Sequence, residues 1–453
     1  MSTFNGAVSS LANLANGLRR IYDDGTFEYA QNAASPLIDL FEEAKDLSPE
    51  GEGFFWPMML RSPQNIATPA EVGNVPKTKQ RKEVQGHVNA GQFVGTFAIS
   101  FLLEAAGTAR GTWNKGEVKK HSFDTLVDLV KHRNRIYAGT AGDGVIAEVE
   151  NDRVATNTNW IAKLSTVGGN TWGASGQGAH LLRESMSLSF YAAKAISDAL
   201  LDGPYEVDSI DTATRTITMA SAFVASVAAG SRVAISKSFG VSTVPNGLMN
   251  LIDDGSFSST IHNVTRAGNS QVNSLVFSNG GTLRELSEDM LLMGGFLQRQ
   301  RNGATIDVLV MNTGQAMQFI RKVRPTRYQT TPGPVQVRAG AESTDSFKFY
   351  FDGRPVRVVV SEDIAPRHIY GIDLSAMNRV TLRKLGWLDH GGGSMFVQSV
   401  DDGGLMTARQ ATMFSLENIA TKAPWKHIRW EDMADAQLCG TNFGGTDTWV
   451  GYP

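Results

Sequence analysis

The stretch Trp113–Val149, WNKGEVKKHSFDTLVDLVKHRNRIYAGTAGDGVIAEV, decides how the chain is read. Phe123, Leu126, Val127, Val130 and Tyr137 recur every three to four residues, while Lys119, Lys120, Asp124, Lys131 and His132 fall elsewhere. That period predicts one long amphipathic helix with a single packing side. It ends in Gly139-Thr140-Ala141-Gly142-Asp143-Gly144. Phosphate-cradling loops follow a strand, and this one follows a helix, so it reads as a helix stop. Upstream, the segment from Phe54 to Ala106 is too long for an ordinary connection in a compact domain. Such excursions reach toward something outside their own body.

Before that excursion, Val8, Leu11, Leu14, Leu18, Ile21 and Tyr22 predict a helix capped by Ser9 or Ser10. Ser35-Pro36 opens a second, short helix carrying Leu37, Ile38 and Phe41. The excursion itself begins as an extended run, Phe54 to Arg61, and passes through Pro63, Pro69, Gly73 and Pro76. A basic cluster, Lys77, Lys79, Arg81 and Lys82, leads back into strands over Val84–Asn89 and Gln92–Leu103. The whole is a long hairpin with a charged tip, expected to have no core of its own.

Beyond the helix stop, Gly168–Gly178 reads as a loop and His180–Leu200 as a helix, with Leu182, Met186, Tyr191, Ala195 and Ile196 loosely periodic. The period then becomes two over Tyr205–Ile210, Thr214–Met219 and Arg232–Ser236, a small β-rich insertion. Thr282 and Glu285 form a capping box for a helix bearing Leu283, Leu286, Met290, Met293 and Leu297, stopped at Asn302-Gly303. Ile306–Met311 is a buried strand, followed by a helix capped by Asn312 and Gln315. Phe347, Phe349 and Phe351 alternate into Asp352-Gly353 and out through Val356, Val358 and Val360, a hairpin. Ile369–Asp373 adds a strand, and Thr381–Leu388, Ser394–Val400 and Leu405–Asn418 alternate as antiparallel strands.

Composition narrows function by exclusion. In 453 residues, hydrophobic types make up 42% and charged types 19%, a globular balance poor enough in charge to leave surface for other protein. A net charge of −3 offers no broad attraction to phosphate. The single cysteine, Cys439, allows neither an internal disulfide nor a thiolate cluster, and the eight histidines show no zinc-ligand spacing. No segment approaches the ~20 apolar residues that span a bilayer. Gly173-Ala174-Ser175-Gly176-Gln177-Gly178 lacks the second glycine of a nucleophile elbow. The expectation is a protein without catalytic residues, metal or cofactor, and outside membranes.

The order of these segments resembles the major capsid protein of tailed double-stranded-DNA bacteriophages, the Hong Kong 97-type or Johnson fold. The residues that carry the resemblance begin with Ser35-Pro36-Leu37-Ile38-Asp39-Leu40-Phe41 and Gly95-Thr96-Phe97-Ala98-Ile99-Ser100. They continue through Arg133-Asn134-Arg135-Ile136-Tyr137-Ala138-Gly139, Ile306–Met311, Phe351-Asp352-Gly353-Arg354-Pro355-Val356 and Ile369-Tyr370-Gly371-Ile372-Asp373-Leu374. The resemblance implies an α+β Hong Kong 97-like capsid fold. Its parts would be an N-terminal arm (1–52), an extended loop (53–106), a peripheral domain with the spine helix (107–201), and a β-rich insertion (202–238). The peripheral domain would continue (239–304), followed by an axial domain (305–374), return strands (375–435) and a C-terminal tail (436–453). It further implies a homo-oligomer of pentamers and hexamers forming the icosahedral head shell of a virion, made in the host bacterial cytoplasm. The shell would enclose double-stranded DNA without sequence specificity and meet a portal protein and decoration proteins.

Only residues 1–52 precede the loop, so a separate scaffolding protein, or none, is expected rather than a fused one. No crosslinking lysine and asparagine pair is matched, so locking is expected to be noncovalent. Interface candidates are Lys77, Lys79, Arg81 and Lys82 at the loop tip and Phe443, Trp449 and Tyr452 in the tail. Two alternatives stay open: an encapsulin-like nanocompartment shell, and an unrecognised multidomain hydrolase.

Overall fold

The computed structural model describes residues 40–44, 49–50, 53–61, 80–101, 115–163, 181–192, 200–211, 216–235, 244–319, 348–388 and 396–434. Excepted are residues 141, 143, 352, 353, 362, 366, 402 and 403; isolated positions 37, 66, 68, 74 and 77 are also described. The first N-terminal helix, the loop Gly168–Gly178 and the C-terminal tail lie outside the described residues; of the second helix, Leu37 and Phe41 are described and buried, and the Leu40 N–H donates to the Leu37 carbonyl at 3.3 Å just ahead of the strand Glu42–Glu43. Strands and helices mix along the chain, an α+β protein, and they cluster into two compact units.

In one unit, the strand Gly91–Ser100 runs antiparallel to the long strand Gly404–Thr421, in register from Gly91 opposite Glu417 to Ser100 opposite Ala408. Phe396–Asp401 pairs antiparallel with the same long strand, with Asp401 opposite Gly404. The spine helix is observed over Lys115–Gly139. Leu126, Leu129, Val130, Ile136 and Tyr137 are buried, whereas Asp124 and Lys131 are exposed. Phe123 lies outside the described side chains. The helix comes close to the sheet at Gly95, where an added Cβ would stand 3.3 Å from Thr125 Cγ2. Within this interface Arg133 donates to Glu417 at 2.9 Å, both side chains almost wholly buried. Hydrophobic periodicity gave no sign of that ion pair, whose partners stand 284 residues apart in the chain.

The other unit takes in Phe41–Asn89, Arg135–Val380 and Asn418–Pro453, and so includes the end of the spine helix. Thr140 Oγ1 donates to the Ile136 carbonyl at 2.7 Å, and Gly142 and Gly144 take φ of 92° and 79°, left-handed conformations that glycine adopts without strain. The chain then enters a closed six-stranded barrel of Val145–Val149, Asn159–Lys163, Ser187–Tyr191, Leu200–Asp211, Thr216–Met219 and Arg232–Ile235. The β-rich stretch is therefore larger than 202–238, because three of its strands come from earlier in the chain. Ser187–Tyr191 also corrects the expected helix over His180–Leu200. Leu188–Tyr191 pairs with Arg232–Ile235 on one side, and Ser187–Tyr191 with the strand Leu200–Asp211 on the other. Those two ladders override a weak 3.6-residue period. The barrel interior is solid: Trp160, Phe190, Tyr205 and Phe223 meet edge to face or tilted, with centroids 5.0 to 6.5 Å apart.

The same unit contains a six-stranded mixed sheet in the order Leu275–Phe277, Ile428–Trp430, Ile369–Ile372, Val308–Met311, Arg354–Val360 and Lys348–Phe351. The hairpin through Asp352-Gly353 forms as read, with Phe351 opposite Arg354. The Asn312 cap forms too: its N–H donates to Gln315 Oε1 at 3.2 Å, and its own Oδ1 accepts from Gly314 N–H at 3.0 Å. The helix before this sheet starts later than expected, over Glu288–Asn302, with Ser287 Oγ accepting from Met290 N–H at 3.3 Å. Thr282 and Glu285 do not cap it, because the Arg284 N–H donates to the Asp432 carbonyl and the Arg284 carbonyl accepts from Ala434 N–H, a bridge to the Met433 segment. Gly303, at φ 64°, closes the C-terminus as read.

That helix lies on the sheet through two adjacent glycines. A Cβ at Gly294 would come within 2.6 Å of the Trp430 ring, and one at Gly295 within 2.4 Å of the Phe351 ring. Alanine normally favours a helix over glycine by about 1 kcal/mol. Here the added methyl overpacks the interface, which costs about 1 to 3 kcal/mol. Gly294→Ala and Gly295→Ala are each expected to lower the chemical denaturation midpoint. Unchanged or raised midpoints would contradict the close approach.

Candidate functional site

The excursion forms the hairpin expected of it. Gly53–Arg61 runs antiparallel to Lys82–Asn89, from Gly53 opposite Asn89 to Arg61 opposite Lys82. Phe54, Trp56, Met58 and Leu60 alternate to one face and are buried, while Pro57 between them is exposed. This face packs on its own chain, including the turn of 3-10 helix Ser270–Val272. The expectation that the whole loop lacks an internal core is therefore corrected. Its root has one, dictated by the period-two spacing of four large apolar residues. Between Arg61 and Lys82, the described residues Ile66, Thr68, Asn74 and Lys77 are exposed.

The root rests on a two-residue turn. Thr260–Ile261 pairs with Val264–Thr265, and the intervening His262 and Asn263 take φ of 50° and 63°, the left-handed pair of a type I′ hairpin. The His262 carbonyl accepts from His87 N–H at 3.0 Å, and Asn263 Nδ2 donates to His87 Nδ1 at 3.2 Å. His87 in turn stacks on Phe55, centroids 4.3 Å apart, and Trp56 meets the His262 ring edge-on at 4.9 Å. His262 Nε2 accepts from Thr421 N–H at 3.2 Å. The hydroxyl of Thr421 accepts from His427 Nε2 at 2.9 Å, while His427 Nδ1 accepts from Asp373 N–H at 3.3 Å. These acceptor roles require both rings to be neutral. Burial, with Arg266 and His87 adding repulsion, depresses His262 to about 3. Burial also holds His427 down, to about 4, against the pull of Asp373.

Beneath the turn lies a buried charge network. The Asp253 carboxylate accepts from the backbone N–H of Gly255 and Ser258 at 2.9 Å each, from Ser256 Oγ at 3.1 Å and from Arg429 Nη2 at 2.8 Å. Arg429 also donates to the Met249 carbonyl at 2.9 Å and pairs with Glu431 at 2.7 Å. Arg266 donates to the carbonyls of Asp253 at 2.6 Å, Val272 at 2.7 Å and Asn250. Burial opposes ionisation of Asp253, but Arg429, the Ser258 N–H and Arg266 outweigh it and hold the carboxyl below its ordinary range. Such a network is scaffolding: every charge is engaged within the fold. Among the described residues, no group of three or more His, Cys, Asp or Glu is placed to hold a metal ion, and no helix is long and apolar enough to cross a membrane.

The interface candidates divide. Lys77, Arg81 and Lys82 are exposed, and Arg81 pairs with Glu83 two residues along its own strand. Lys79, Phe443, Trp449 and Tyr452 lie outside the described residues. The sequence reading missed His262, Thr421, Asp253, Arg266 and Arg429. The adjacent His262-Asn263 before Val264 was the available sign of a tight turn.

Both histidines are depressed below their ordinary 6.5, so the unfolded chain takes up protons first as pH falls. Their contribution is complete above about pH 6.5 and is lost toward about pH 4 for His427 and about pH 3 for His262. The slope is at most about 1.4 kcal/mol per pH unit for each. Urea midpoints should fall steadily from pH 7 to pH 4.5, and His262→Gln should flatten that fall. A flat wild-type profile would contradict neutral burial. Asp253→Ala leaves two buried guanidinium groups without their carboxylate and is expected to cost about 3 to 5 kcal/mol. A loss under 1 kcal/mol would show the network to be dispensable.

No family model matches the sequence, and no curated protein matches it. Among solved structures, the capsid asymmetric unit of cyanophage A-1(L) aligns at 11% identity over 95% of this chain and 96% of its own, with a TM-score of 0.49. The capsid of a native GTA particle aligns at 8% identity over 94% and 95%, with a TM-score of 0.40. A virus-like particle from Pyrococcus furiosus aligns at 9% identity over 90% and 96%, with a TM-score of 0.35.

Proposed function

We propose that the chain is the major capsid protein of a tailed double-stranded-DNA phage, assembling as pentamers and hexamers into an icosahedral head shell. The observation that carries this reading is the long hairpin. Its root is fastened to its own body at the His262 turn, and the described residues beyond its last pair, Ile66, Thr68, Asn74 and Lys77, are all exposed. A segment that leaves its body from a rigid root is suited to lie on a neighbour and become stable by burying surface there. The elements that follow support the same reading: a spine helix, a mixed sheet under one helix, and long antiparallel return strands.

On this proposal Lys77, Lys79, Arg81 and Lys82 meet acidic groups of an adjacent subunit, and Phe443, Trp449 and Tyr452 anchor the tail. Exposed ion pairs contribute about 0 to 1 kcal/mol each, an amount that matters only through repetition over the shell. The enclosed content is DNA held without sequence specificity. A portal, decoration proteins and a separate scaffolding protein, if one is used, are its partners.

Electron microscopy of the purified full-length chain is expected to show closed shells or capsomers, and boiled particles should run as one band at the monomer mass. A compact monomer under every condition would overturn the reading, and a ladder of covalent oligomers would overturn noncovalent locking. Particles filled with protein in place of nucleic acid would assign a cargo compartment. Deleting residues 64–79 should leave the subunit melting midpoint unchanged and abolish closed shells, since the deleted chain lies beyond the root. Intact shells from that variant would remove the projecting stretch from assembly.

A further inference from the structure

The closed barrel carries large apolar side chains on its outside as well as in its core. Val224 is 80% exposed and Val154 is 65% exposed. The two stand on one ribbon: Arg153 and Val227 exchange backbone hydrogen bonds at 2.7 and 2.9 Å, and Thr156 N–H donates to the Phe223 carbonyl at 2.9 Å. The buried Asp202 carboxylate, near the start of the strand Leu200–Asp211, pins that ribbon by accepting from Val224 N–H at 3.0 Å and Ala225 N–H at 2.9 Å. Leu200, two residues ahead of it, is half-exposed. Farther along the same strand, exposed Glu206 and Asp208 alternate with buried Tyr205 and Val207. Glu184 is exposed beside them, where Ser185 N–H donates to the Val207 carbonyl at 2.7 Å. Val224 stays close to this acidic row, since its N–H also donates to the Tyr205 hydroxyl at 2.9 Å. Among the described residues, none of the three exposed carboxylates takes part in an ion pair.

The hairpin offers matching chemistry. Ile66 is 96% exposed, and Lys77 is exposed with no ion pair among the described residues. We propose that this side of the barrel is the docking surface for the hairpin of an adjacent copy, with Ile66 covering Val224 and Val154 and Lys77 facing Glu206 and Asp208. The apolar contact supplies attraction, and the charges beside it fix register. The spans agree: Ile66 and Lys77 are 11 residues apart, a reach of at most about 40 Å, while Leu200 to Asp208 covers about 26 Å of strand. Hairpin and barrel are different surfaces, so each copy gives one and receives one. A head-to-tail contact of this kind closes into a ring, as five-fold and six-fold capsomers require. In naming what the hairpin meets, the docking rests on the shell reading.

The test uses full-length chain carrying Cys439→Ser. One preparation adds Ile66→Cys, another adds Val224→Cys, and the two are mixed before assembly. Mild oxidation of the mixed particles should give reducible dimers, whereas particles of either variant alone should stay monomeric on the gel. A chain with both cysteines should give a ladder ending at the pentamer or hexamer, the mark of a head-to-tail ring. An internally linked monomer would place the hairpin on its own barrel and overturn the docking. Ile66→Cys combined with Met293→Cys, an exposed position off the barrel, should give no ladder. A second measurement exchanges charges. Lys77→Glu should lower the melting midpoint of particles while leaving that of free subunits unchanged, and adding Glu206→Lys should restore it. Additive losses would overturn the pairing. Closed particles with neither crosslink nor charge rescue overturn the docking and leave the shell standing. Crosslinked oligomers that never close uphold the docking and overturn the shell, and a chain that stays monomeric throughout overturns both.

Discussion

The Asp253 carboxylate, fully withdrawn from water, is the interaction on which most of the larger unit depends. It receives Arg429 from the strand Ile428–Trp430 of the central sheet, gathers the backbone of residues 255–258, and stands beside Arg266 just after the His262 turn. The sheet, the turn and the short helix Leu248–Leu251 are thereby held to one another. A buried charge pair is weak evidence of net stability, because desolvation offsets much of its attraction. What it supplies here is position. The His262 turn cannot shift without leaving a guanidinium or a carboxylate unsatisfied, and the root of the long hairpin sits on that turn.

The hairpin is thus a lever with a fixed end. Four apolar residues on alternate positions, Phe54, Trp56, Met58 and Leu60, bury its inner face, and His87 is held from both sides by Phe55 and Asn263. Thr421 joins the two buried histidines through its amide and its hydroxyl, so the end of the return strand shares in the same arrangement. The barrel core is built differently: Trp160, Phe190, Tyr205 and Phe223 pack ring on ring, and the Tyr205 hydroxyl donates to the buried Asp202 carboxylate at 2.6 Å.

How legible the molecule was from its sequence follows from the range of each interaction. The spine helix, its glycine stop, the strand Val308–Met311 with its Asn312 cap, and the hairpin through Asp352-Gly353 were readable because their determinants lie within a few residues of one another. The strand Ser187–Tyr191 was misread as helix because its pairing partners lie elsewhere in the chain, and a five-residue period-two signal is short. The helix start slipped from Thr282 to Ser287 because Asp432, far away in sequence, claims the backbone of Arg284. Glycines 294 and 295 look unfavourable inside a helix until the Trp430 and Phe351 rings are seen against them. The buried network was invisible for the same reason, whereas the His262 turn had a local sign in His262-Asn263 that the reading passed over. The partners in that network are brought together by the fold, and nothing in local spacing marks an arginine such as Arg429 as a core residue.

Hydrogen–deuterium exchange, compared between free subunits and assembled protein, tests the central claim most directly. The account predicts that the amides of Phe54–Leu60 and Val84–Val88 are protected equally in both, since the root belongs to its own body. Residues 62–80 should gain protection only on assembly. Root amides that become protected only in the assembled state, or a projecting stretch whose exchange never changes, would contradict it.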